Sequence, residues 1–155
     1  MKQITLTLLI LLIPGFIGTL YAEEYADEAN LSVANAWISE APPVSKVMVA
    51  FMTINNTGNE AIDITKAESE LYSSIEFHET IHENGMARMV RWDKLTVPAN
   101  GSIQLKRGGK HFMLFNPTKP LKAGEKVHIK LTTSSKTTKI VLVTVKKAQY
   151  QGTSD

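Results

Sequence analysis

The stretch Ile75–Asp93, reading I-E-F-H-E-T-I-H-E-N-G-M-A-R-M-V-R-W-D, decides how the rest of the chain is read. Asn84-Gly85 lies between two runs rich in Ile, Phe, Thr, Val and Trp. A type I′ hairpin turn needs positive φ at both central positions, which Asn and Gly tolerate best. A two-residue loop there pairs Glu83 with Met86, His82 with Ala87, Thr80 with Met89 and His78 with Arg91. Successive side chains on a strand take opposite faces. One face then carries Glu76, His78, Thr80, His82, Ala87, Met89, Arg91 and Asp93. The other carries Ile75, Phe77, Glu79, Ile81, Met86, Arg88, Val90 and Trp92, which include most of the large apolar groups, and this face is expected to turn to the core. Met89 is thereby set on the polar face, diagonal to His78, where Cα atoms are roughly 7–8 Å apart and long side chains can converge. A longer loop would shift the register by one and bring Met86 to that face instead.

The same alternation of β-rich runs and turn-formers extends outward. Leu31–Ser39, Val47–Asn55, Ala61–Ala67, Lys110–Phe115, Lys126–Leu131 and Lys139–Val145 read as strands. Between them lie Ala41-Pro42-Pro43, Asn56-Thr57-Gly58-Asn59, Pro98-Ala99-Asn100-Gly101, Gly108-Gly109, Ala123-Gly124 and Ser134-Ser135. Many short strands at this spacing predict an all-β fold, an antiparallel β-sandwich. No helix of ordinary length, internal repeat or low-complexity tract is evident. Met48 and Met52 share a strand face with Ala50 and read as core filling, as methionine adapts to irregular gaps. Trp37 and Trp92 read as core as well.

At the N-terminus, Lys2 precedes an apolar run from Ile4 to Ile17 that is broken by Pro14 and Gly15, and Ala22 precedes Glu23-Glu24. This is the pattern of an export signal cleaved near Ala22, residues 1–22, and it implies a periplasmic protein. Leu20 is large for the position three before the cut, which leaves open a shifted site or an uncleaved anchor. The apolar run is short against the roughly 20 residues of a membrane span, and no cysteine follows it to carry a lipid. Residues 23–30 are acidic and aperiodic, a flexible lead-in; residues 31–147 form one domain; residues 148–155 are a polar, frayed tail. Taking residues 1–22 from the 155 leaves 133, enough for one domain with its own core, and lowers the net charge from +2 to +1 because Lys2 is the one charge lost. A nearly neutral domain offers no electrostatic basis for binding nucleic acid, or a membrane once the signal is removed. With no cysteine in the chain, an exported domain is held by its core alone and any metal site must do without thiolates.

His111 and Met113 are two residues apart in Lys110–Phe115, so a strand projects both to one side and leaves Phe112 and Leu114 for the core. Gly108-Gly109 before them permits a tight turn and a close approach. Together with His78 and Met89 they spell H-x10-M-x21-H-x-M. Copper matches that donor set: thioether sulfur selects Cu(I), imidazole suits either oxidation state, and neither donor loses a proton at neutral pH as a thiol must. Thioethers also withstand an oxidising compartment more reversibly than thiols. A site of two histidines and two methionines for one Cu(I) requires the two segments to be neighbours, which the sequence leaves open. Any one of these histidines alone would read as a surface residue. His82 shares the face of His78 and could substitute for or support it, but it reads better as a surface residue, and His128 has no assigned role.

Catalytic patterns do not compete. His78-Glu79-Thr80-Ile81-His82 matches H-E-x-x-H in letters, yet that zinc motif needs a helix, and the β-rich residues and the Asn-Gly turn argue for a strand. Glu76, Glu79 and Glu83 read as solvated strand positions, and no phosphate loop or nucleophile elbow is present. The chain reads as a protein that is not an enzyme. A blue-copper electron-transfer site would want a Cys thiolate.

Several further motifs surround the four candidates: Ala36-Trp37-Ile38, Ala50-Phe51-Met52-Thr53-Ile54-Asn55-Asn56, Glu76-Phe77-His78-Glu79-Thr80, Arg88-Met89, Gly108-Gly109-Lys110-His111-Phe112-Met113-Leu114 and Pro120-Leu121-Lys122-Ala123-Gly124-Glu125. With them, residues 33–146 resemble the PCu(A)C family of periplasmic copper chaperones. The resemblance implies a cupredoxin-like Greek-key sandwich and copper ligands at His78, Met89, His111 and Met113. It also implies delivery of Cu(I) to the copper-site subunit of cytochrome c oxidase during assembly, or to another copper chaperone, by a monomer. Many members carry a second Met two residues before the ligand Met; here Ala87 stands at that position and Met86 one earlier. Relatives with His/Met-rich C-terminal extensions bind Cu(II) there, but Ala148–Asp155 contains neither residue. Two other readings share the sequence: a periplasmic copper-buffering or resistance protein active in copper homeostasis, and a metal-free β-sandwich module that binds protein or carbohydrate.

Overall fold

Positive φ at Asn84 (52°) and Gly85 (77°) makes the two-residue turn expected from Asn-Gly. The computed structural model describes residues 28–148, so the export signal, most of the acidic lead-in and all of the tail but Ala148 lie outside the described residues. Ten strands follow one another without a helix among the described residues: β1 (Leu31–Ser39), β2 (Val47–Asn56), β3 (Ile62–Glu68), β4 (Tyr72–Glu83), β5 (Met86–Trp92), β6 (Leu95–Val97), β7 (Gly101–Leu105), β8 (Lys110–Pro117), β9 (Lys126–Thr133) and β10 (Thr138–Lys146). The sheet runs β4-β8-β2-β1-β10-β9-β3 and closes through a β3–β4 pairing at Ala67 and Ile75. β5 extends it beyond β4, β6 pairs with β3, and β7 pairs with β2. The fold is all-β as expected, a sheet that closes on itself and so leaves few free edges.

One pairing departs from the antiparallel expectation. β1 and β10 are parallel, with Trp37 opposite Thr144 and Ile38 opposite Val145. These are the first and last strands, and the strand order sets them side by side running in the same direction. No hairpin turn links them to signal that arrangement.

Alternation sorts the strands into an inner and an outer surface. Phe77 and Phe112 face each other on paired strands with ring centroids 5.2 Å apart, and with Leu114, Ile54, Ile64, Ile129 and Val143 they form a continuous apolar interior. Burying each such side chain contributes about 1.5–3 kcal/mol. Met48 and Met52 are in this core, as expected. Trp37 is not: it is half-buried on the outer surface, 4.9 Å from Phe51 and capped by the Arg107 guanidinium at 5.5 Å. A bulge between Ala34 and Trp37, where Asn35 takes φ of 54°, breaks the alternation that would carry Trp37 inward with Leu31. Trp92 also departs from expectation, being 42% exposed with the Lys110 ammonium 5.5 Å from its ring. Its strand β5 ends the ladder outside the closed ring, so the hairpin face that is inward at Phe77 is left largely open at Met86 and partly open at Trp92.

The last residues of the acidic lead-in are tied down. Glu28 donates its amide to the Thr138 carbonyl at 2.8 Å, its carboxylate accepts from the Thr137 hydroxyl at 2.6 Å, and the Asn30 carbonyl accepts from the Thr57 amide at 2.9 Å.

Candidate metal centre

The β4–β5 ladder has the register read from the turn: Glu83 opposite Met86, Thr80 opposite Met89 and His78 opposite Arg91. On its other side β4 pairs with β8, and there His78 is directly opposite His111, with Glu76 opposite Met113. The adjacency that the sequence left open is therefore present. Directly opposed residues share a face, and since Phe77 and Phe112 are inside, the two histidines are outside. Their rings are 6.1 Å apart between centroids and inclined by 29°. Met89 flanks the histidine pair one same-face rung toward the hairpin turn, and Met113 flanks it one rung the other way, so the structure gathers all four sequence candidates on one outer surface.

The four groups differ in access. His111 is 5% exposed and Met113 is half-buried, whereas Met89 is 54% exposed on the end strand. His82 lies on the exposed end of the hairpin, His128 is exposed on β9, and Met86 is 70% exposed on the opposite face from Met89. Among the described residues no three His, Cys, Asp or Glu side chains gather as a hard-metal site would require. The donor set on this surface is imidazole and thioether, which favours a soft cation.

Sequence reasoning missed the groups that orient the imidazoles. Glu76, read as solvated, is half-buried; its Oε2 accepts from His78 Nε2 at 2.9 Å while its Oε1 faces Arg91 Nη1 at 3.3 Å. His111 Nδ1 is 2.9 Å from the Gly109 carbonyl, which can only accept. His78 Nδ1 is buried and is the one side-chain nitrogen or oxygen among the described residues found buried without a hydrogen-bond partner. The signal for Glu76 was its place two residues before His78 on the same face, with Arg91 across the ladder.

In fold, this all-β closed sheet is of the cupredoxin-like class. A family model described as LpqE-like matches residues 31–145, and the chain belongs to this family, which is of the PCuAC type. The family's description and that of one relative both carry the word lipoprotein: that relative, Lxx21020 of Leifsonia xyli subsp. xyli, is 34% identical over 118 residues, which cover 76% of this chain and 70% of its own length. RP573 of Rickettsia prowazekii is 32% identical over 96 residues, and the chain spans about half (53%) of its length. Among solved structures, apo-DR1885 from Deinococcus radiodurans is 32% identical with a TM-score of 0.61, covering 94% of this chain and 97% of its own. DR1885 has also been solved with Cu(I), at the same identity and TM-score, covering 83% of each chain. The copper-bound PCuAC domain from PmoF2 has a TM-score of 0.65 at 16% identity, covering 80% of this chain and 97% of its own, a likeness of fold.

Proposed function

We propose that this protein is a periplasmic copper chaperone that carries one Cu(I) on His78, Met89, His111 and Met113. The observation that carries the reading is the direct pairing of His78 with His111 on an outer surface, with a thioether on each side. Neutral soft donors bind Cu(I) without proton release, and an exposed Met89 offers a first point of exchange. Transfer to thiolate ligands is downhill, since thiolate is the stronger Cu(I) donor. The copper-site subunit of cytochrome c oxidase is the recipient this reading favours, on the strength of the family resemblance. Its relation to copper-loaded DR1885 supports copper as the cargo.

Anaerobic competition of the purified protein against a chromogenic Cu(I) chelator tests the reading. One Cu(I) per chain is expected, with loss of binding when all four residues are changed to Ala. Binding that survives the fourfold change would assign copper elsewhere. Zn(II) should bind much more weakly than Cu(I) in calorimetry under reducing conditions, because two of the four donors are thioethers. Tighter zinc binding would mean that carboxylates or other histidines make the site.

A further inference from the structure

We infer that Glu76 is a positioning residue that sets the tautomer of His78, so that copper is held through Nδ1 of His78 and Nε2 of His111. The inference rests on the copper-carrier reading and adds which atom of each imidazole binds. A carboxylate oxygen only accepts, so the 2.9 Å contact from His78 Nε2 to Glu76 Oε2 requires the proton on Nε2. Neutral His78 then has its lone pair on Nδ1, the buried nitrogen without a partner. Buried polar atoms are rarely left unpaired, and a metal bond would satisfy this one. At His111 the order is reversed. The Gly109 carbonyl 2.9 Å from Nδ1 puts the proton there and frees Nε2.

Glu76 is itself oriented. Its two oxygens are divided between His78 and Arg91, and Arg91 stands directly across the β4–β5 ladder from His78. The guanidinium thus holds the carboxylate where the imidazole needs it, the carboxylate–histidine–metal arrangement that fixes ring orientation and raises donor basicity.

Long-range 1H–15N correlation spectra of the imidazoles, recorded on the purified protein before and after Cu(I) addition, test this. Expected are an Nε2–H tautomer at His78 and an Nδ1–H tautomer at His111, with Cu(I) moving the resonances of His78 Nδ1 and His111 Nε2. Glu76→Ala should give mixed tautomers at His78 and Cu(I) binding weaker by about tenfold or more. Glu76→Gln keeps one acceptor oxygen, which can receive Nε2–H but cannot also face Arg91, and should hold the Nε2–H tautomer and the affinity between those of Glu76→Ala and the unsubstituted protein. Movement of His78 Nε2 on copper addition, or unchanged tautomer and affinity in Glu76→Ala, would overturn the inference and leave the copper reading standing. Absence of Cu(I) uptake by the unsubstituted protein would remove both. Should Glu76→Ala not fold, the spectra of the unsubstituted protein and of Glu76→Gln decide the matter.

Discussion

Met86 and Met89 are three positions apart on one strand, both exposed, and differ in the face they occupy. That difference is testable at the level of one sulfur atom. Met89→Leu keeps the volume and removes the donor, so Cu(I) binding should weaken markedly while folding stability changes by less than about 1.5 kcal/mol. Met86→Leu should leave copper untouched. X-ray absorption on the copper-loaded variants would count the sulfurs; loss in Met86→Leu and retention in Met89→Leu would reverse the assignment. Asn56 tests stability in the same way. It is buried, its amide nitrogen donates to the carbonyls of Glu60 at 2.7 Å, Pro98 at 3.2 Å and Val97 at 3.3 Å, and its oxygen accepts from the Gly58 amide at 2.8 Å. Asn56→Ala removes these hydrogen bonds and should cost about 1–3 kcal/mol, seen as a lower urea midpoint with an unchanged denaturant slope.

The hairpin is the element on which the site depends. Asn84 and Gly85 both adopt the left-handed conformation, which costs an L side chain roughly 1–2 kcal/mol and a β-branched one at least that. A chain with Asn84→Val and Gly85→Val should still form the barrel, because β5 lies outside the closed ring. Its β5 amides should exchange faster, those of β1 and β10 should not, and Cu(I) binding should weaken as Met89 loses its register. Equal protection of β5 in both proteins would show that packing, not the turn, holds the register. The same position outside the ring explains why the face reading worked for β4 and failed for β5. An apolar face is buried only where another layer meets it, and on β5 that face stays exposed at Met86 and partly exposed at Trp92.

At the scale of the whole molecule, without a disulfide, stability rests on the closed core and a belt of surface ion pairs. Three carboxyls of that belt are held below the ordinary range: Asp63 by hydrogen bonds from Lys94 and Thr96, Glu68 by Lys66, and Glu125 by Lys119 and the Lys122 amide. A carboxyl whose folded value lies below its unfolded one stabilises the protein above the unfolded value and loses that contribution as pH falls through the folded one. The thermal midpoint should therefore decline as pH drops below about 4, with a shallower decline in Asp63→Asn. These groups are partly exposed at the surface, so added salt should shrink the difference. A decline of equal steepness in Asp63→Asn would assign the acid sensitivity to other carboxyls.

The strand periods, the two-residue turn at Asn84-Gly85, the common face of His78 and Met89 and that of His111 and Met113 were all determined by the sequence itself, since each is a relation between residues close together in the chain. Whether the two halves of the site meet was not, because His78 and His111 are 33 positions apart and alternation within a strand says nothing about which strand lies beside it. The order of strands in the sheet made β4 and β8 neighbours and brought the two imidazoles into direct opposition. It also paired the first and last strands in parallel, while the bulge at Asn35 left Trp37 outside the core and the end position of β5 left Trp92 exposed. The hairpin register set Glu76, His78 and Arg91 on one face, and the structure shows the two oxygens of Glu76 divided between the other two.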